Sequence, residues 1–114
     1  MQEQETFAVG DVIYWKVQAL DEDDVEFLIE QLTMGMIGPF VVGKVKTVNK
    51  SEIKDYGHHQ VLNIVELDHP KEVIEEVTGY FFYKGAKDEL DADERKKLER
   101  ITKKIRKQNL KLVN

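Results

Sequence analysis

The chain contains no cysteine. Disulfide frameworks, thiolate zinc sites and cysteine nucleophiles are excluded together. The absence fits a reducing compartment, so a cytoplasmic setting is expected. Long apolar runs are missing as well. The longest, such as Val12-Ile13-Tyr14-Trp15, reach only four residues, against the roughly 18 needed to span a bilayer, and no membrane association is expected. The opening Met1 to Phe7 has neither a basic leader nor an apolar stretch, so no secretory signal is expected. With two prolines and seven glycines in 114 residues, a collagenous or linker-rich chain is excluded.

What is present suffices for one domain with a core of its own. The chain is 41% hydrophobic and 34% charged, and at this length about two-thirds of the unfolded surface is buried on folding. The net charge of −5 conceals a split. Residues 94–111 hold nine bases and two acids, while residues 1–93 hold eight bases and 20 acids. Such asymmetry concerns partners rather than fold.

Residues 1–8 read as a frayed polar terminus. A first strand is predicted over residues 12–20, whose apolar members are β-branched and aromatic. After the acidic run Asp21 to Asp24, Val25, Leu28, Ile29 and Leu32 recur as one helical face, predicting a short internal helix. Acids at its start favour the positive helix end. Met34 to Pro39 ends it. Residues 40–48 alternate as a second strand, 49–59 read as a polar loop, and 60–67 as a third strand. Residues 71–77 read as a helical turn or exposed connection, and 78–83 as a fourth strand, with Tyr80 and Phe82 on one face and Phe81 and Tyr83 on the other. The clearest helix follows. Asp91 with Glu94 three residues on is an Asp variant of the capping box, and Leu98, Ile101, Ile105 and Leu112 form one stripe.

Ile37-Gly38-Pro39-Phe40-x-Val42, His59-Gln60-x-Leu62-x-Ile64 and Val77-Thr78-Gly79-Tyr80-Phe81 together resemble a pattern in short uncharacterised proteins of phages and mobile elements, which look like small SH3-like barrels. The resemblance runs over residues 10–84. It implies a partly open β-barrel and a mobile-element setting, and implies no reaction. The expected fold class is therefore α+β: a small, mainly antiparallel, SH3-like barrel of about four or five strands, with a short internal helix and a long basic C-terminal helix. Residues 1–87 form the body and 88–114 the helix of the same single domain.

Catalytic chemistry finds little support. Ser51 is the single serine, and no glycine elbow surrounds it. Gly35-Met36-Ile37-Gly38 lacks the spacing and the following Lys-Ser/Thr of a phosphate loop. His58, His59 and His69, near Asp55 and Asp68, are the one cluster of ligand types. Their spacing matches no established site, and adjacent histidines in extended chain point to opposite faces. The acids at 21–24 lack the glycine and terminal glutamate of a calcium loop. No catalytic residue, metal or cofactor is expected.

The basic helix is the strongest functional hint. Arg95, Lys96, Lys97, Arg100, Lys103, Lys104, Arg106 and Lys107, with Lys111 beyond them, suit contact with phosphates or another acidic partner. Pairs at i,i+4 (Asp91 with Arg95, Asp93 with Lys97, Glu99 with Lys103) neutralise its first half; from Lys104 onward no acid remains. Trp15, Tyr80 and Phe82 are candidate exposed aromatics for a groove that takes peptide or stacked bases, set against plain core packing. The expected role is a non-enzymatic protein-protein interaction module with a protein partner or a homodimer. The alternative is nucleic-acid binding through the basic helix, against which stands the acidic body.

Overall fold

The computed structural model describes residues 5–16 and 21–113, with side chains described as far as residue 107. The architecture is α+β. Five strands, β1 (Val12–Trp15), β2 (Phe40–Thr47), β3 (Gln60–Glu66), β4 (Val73–Thr78) and β5 (Phe82–Lys84), form one sheet in the order β4-β3-β2-β1-β5. Every pairing is antiparallel, and the sheet is open, with β4 and β5 at its edges. Three helices join it: α1 (Glu22–Thr33), α2 (Ile53–Tyr56) and α3 (Ala92–Val113).

Strand alternation divides the core in two. Ile13, Trp15, Phe40, Val42, Leu62, Ile64 and Phe82 pack on one face, where α1 contributes Leu28 and Phe27. Val12, Val41, Val65 and Leu67 pack on the other, against Leu98, Ile101 and Ile105 of α3. Adjacent residues of β1, β2 and β3 thus feed opposite cores, as a two-residue period requires. The helices α1 and α3 lie on opposite faces of the sheet.

Both long helices start as their sequences dictate. The Asp21 carboxylate accepts the Asp24 N–H at 3.0 Å and caps α1. At α3 the box is reciprocal. Asp91 Oδ1 accepts the Glu94 N–H at 2.8 Å, and Glu94 Oε1 accepts the Asp91 N–H at 3.1 Å. Two orphan donors are satisfied by two neighbouring acids.

Several expectations are corrected. Residues 5–8 are not frayed. Phe7 is buried, the Lys84 N–H donates to Glu5 Oε2, and Gln60 binds the Phe7 backbone. The first strand ends at Trp15, and residues 17–20 of the predicted strand lie outside the described residues. The polar loop contains α2. Residues 73–77, within the stretch 71–77 read as a helical turn or exposed connection, belong instead to strand β4, which ends at Thr78. The predicted fourth strand is interrupted by a 3-10 turn, Gly79–Phe81, where the Thr78 Oγ1 accepts the Tyr80 N–H. The turn cancels the expected alternation, so Phe81 and Phe82 pack on the same core.

Candidate interaction surfaces

On α3, Leu98, Ile101 and Ile105 fix which side meets the sheet. At about 100° per residue, Lys96, Arg100, Lys103 and Lys107 fall on the opposite side. All eight bases from Arg95 to Lys107 are exposed. Among the described residues, Lys97 alone leaves the helix for an acid, its Nζ lying 2.7 Å from Asp68 Oδ1 on the turn after β3. That hydrogen bond, followed by the charge of Asp68, raises the Lys97 pKa. Arg95 donates instead to the Asp88 carbonyl at 3.2 Å. The i,i+4 pairs expected along the helix are not closed within 4.0 Å among the described residues. Arg100, Lys103, Lys104, Arg106 and Lys107 make no ion pair there either. Leu112 and Lys111 lie outside the described side chains.

An open cleft of about 630 Å³ runs beside this helix, lined by Lys87, Arg95, Lys103 and Arg106 against Asp88 and Glu99, with Val9 and Leu98 adding apolar surface. Its four cations outnumber its acids two to one, so its charge favours an anionic occupant.

The aromatic groove is corrected. Trp15 and Phe82 are buried, their rings stacked at a centroid distance of 4.7 Å. Trp15 also meets Phe27, Phe40 and Phe81 edge-on, and its Nε1–H donates to the Met36 carbonyl at 2.8 Å. An indole whose edge donor is already used and whose faces are covered is core. Tyr80 is half-buried, and its phenol pKa is raised by burial, then by Asp24 and Asp21. The exposed aromatic of this stretch is Tyr83, stacked on Tyr14 at 5.5 Å.

The histidines are corrected too. His58 and His59 do not point apart. Their rings stack at 4.4 Å with 19° between planes. His58 is buried with both nitrogens engaged: Nδ1 accepts the Gln60 N–H at 3.0 Å, and Nε2 lies 2.9 Å from the Glu5 carbonyl. This pattern requires the neutral ring with its proton on Nε2. Burial, and then the charge of His59, lowers its pKa. Asp68 is engaged with Lys97, and among the described residues no three His, Asp or Glu side chains converge as metal ligands.

A second surface escaped the sequence reading, on α1. Of the helical face Val25, Leu28, Ile29 and Leu32, only Leu28 is buried. The helix is rotated so that Phe27 packs on Phe81 (4.9 Å) and Trp15. Val25, Ile29 and Leu32 are left 38%, 57% and 40% exposed. Met34 and Ile37 follow beyond the helix, exposed at 67% and 65%. Glu22, Glu26 and Glu30 run beside the apolar row, and α1 carries five acids and no base. The signal was in the sequence: the apolar face is wider than the one residue needed to seat the helix.

These features define the class: a small α+β domain whose open antiparallel sheet carries an acidic, apolar-faced helix on one side and a basic helix on the other. No protein-family model, no curated protein and no solved structure matches the chain. Among the described residues, no helix is long and apolar enough to cross a membrane.

Proposed function

We propose that this chain is a non-enzymatic protein-protein interaction module built on a small SH3-like sheet. The strand order, with a 3-10 turn between β4 and β5, supports the SH3-like reading. The observation that carries the function is the apolar row of α1. Exposed contiguous apolar surface rimmed by charge marks a site that another protein covers, and Val25, Ile29 and Leu32 form such a row in one helix. The test compares the parent with Ile29→Asp, a substitution at an exposed position that spares the core. Sedimentation across a concentration series and affinity capture with mass-spectrometric identification are run on both. A partner or an oligomer present with the parent and lost with Ile29→Asp supports the module. A strict monomer that captures the same set as the variant rejects it.

A second reading, nucleic-acid binding, has its own observation. Seven of the eight bases of α3 from Arg95 to Lys107, all but Lys97, have no ion-pair partner among the described residues, and the acids of α1 are held across the sheet from them. The repulsion expected of the acidic body is thereby reduced on this face. Titration with single- and double-stranded DNA and RNA at two salt concentrations decides it. Binding that falls steeply with salt, and is lost when Lys103, Lys104, Arg106 and Lys107 become Ala, supports it. No binding at low salt rejects it.

A further inference from the structure

We propose that the exposed face of α1 is a docking site for a basic amphipathic helix of a partner protein. The inference rests on the module reading above and adds the chemistry of the partner. Two parallel rows carry it. Val25, Ile29 and Leu32 stand at i, i+4 and i+7, the spacing at which a helix presents one apolar ridge. Glu22, Glu26 and Glu30 stand at i, i+4 and i+8, all exposed, on the flank of that ridge. None of the three makes an ion pair among the described residues.

A complementary ligand presents an apolar ridge of the same period with bases on the matching flank. An acidic or uncharged helix satisfies the ridge alone and leaves three glutamates facing like charge or losing water. Nucleic acid is repelled by the acid row and offers no apolar ridge. The chain's own α3 is already committed, since Leu98, Ile101 and Ile105 are seated against the sheet. The recognition mode is therefore helix against helix, with apolar anchors supplying affinity and the charged flank fixing orientation.

The probe is a synthetic amphipathic peptide of about five turns, with leucines on one ridge and lysines on the adjacent flank. The controls are a scrambled peptide of the same composition and a copy with glutamate in place of lysine. Binding to the full chain is followed by fluorescence anisotropy. The lysine peptide is expected to bind, and the scrambled one to bind at least about tenfold more weakly, since a few central anchors dominate such contacts. Ile29→Asp removes binding. The double change Glu26→Lys with Glu30→Lys abolishes binding of the lysine peptide and confers it on the glutamate peptide. Circular dichroism confirms that both variants are folded.

Equal binding of the scrambled peptide overturns the proposal, as does unchanged binding by the variants. Self-association of the parent that Ile29→Asp abolishes also overturns it, assigning the face to a second copy. In that last case, or if the peptide fails while Ile29→Asp still loses an identified partner, the module reading stands and only the partner's chemistry is wrong.

Discussion

The side-chain amide of Gln60 pairs with both backbone polar groups of Phe7, accepting its N–H on Oε1 at 2.7 Å and donating from Nε2 to its carbonyl at 3.0 Å. One side chain thus plays the part of a neighbouring strand. It fastens a segment 53 residues away in sequence and holds the Phe7 ring in the core. Gln60→Leu removes both bonds and leaves two buried backbone groups unpaired, each costing about 1–3 kcal/mol. Urea denaturation is expected to show a loss of about 2–4 kcal/mol.

His58 makes stability depend on pH. Its pKa is lowered in the folded state by burial and by His59, so the unfolded chain binds the proton more readily. The contribution is complete above the ordinary histidine pKa of about 6.5. It is lost as pH falls through that value towards the lower folded one. The urea midpoint is expected to drop between pH 7.5 and pH 5, and His58→Asn to flatten that dependence.

Two glycines are expected to respond unequally to the same added methyl. A Cβ at Gly79 stands 2.8 Å from both Cε1 and Nδ1 of His58 and 3.1 Å from the Phe7 ring. The His58 ring is held at both nitrogens, so it has no direction in which to yield. Gly79→Ala is expected to cost about 2–3 kcal/mol, in the range for overpacking a core. At Gly43 in β2 the nearest atoms are 3.6 Å (the Asn63 carbonyl) and 3.9 Å (Ile105), ordinary contacts. Gly43→Ala is expected to change stability by less than about 1 kcal/mol. Thermal melts of the two variants side by side test the contrast.

The two sides of α3 are expected to separate structure from binding. Ile101 is buried against Val12, Val41 and Val65, and Ile101→Ala is expected to cost about 2–4 kcal/mol. Lys103 and Lys107 are exposed on the far side without ion pairs among the described residues. Replacing both by Ala is expected to leave the denaturation midpoint within about 0.5 kcal/mol of the parent. A large loss there overturns the assignment of these lysines to the solvent face.

Elements governed by near neighbours were legible in the sequence. The capping box of α3, the acidic start of α1 and the stripe Leu98, Ile101, Ile105 each involve residues within a turn or two. What escaped depends on distant partners. The rotation of α1 is set by Phe27 meeting Phe81 and Trp15, and a periodic pattern does not reveal which edge of an apolar face will dock. Strand β4 was obscured because Glu76 adopts φ 55 and its N–H turns to Asn63 Oδ1. The register slips there, between Leu62 and Ile64 of β3, and a slipped strand loses its two-residue rhythm. The burial of Trp15 and Phe82 was decided by the stacking of one on the other across paired strands. The candidate surface on α1 is the complement of that docking: what Phe27 took, Ile29 gave up.

Because α3 supplies the cover for Val12, Val41 and Val65, a ribosome-bound chain that has emerged only through β5 presents the back of its sheet bare. Such an intermediate has sticky apolar surface and two open strand edges, the combination that invites aggregation. The strongly charged segment that follows is then the piece that withdraws that surface from its neighbours, so a chain cut before residue 98 is expected to aggregate more readily than the full chain.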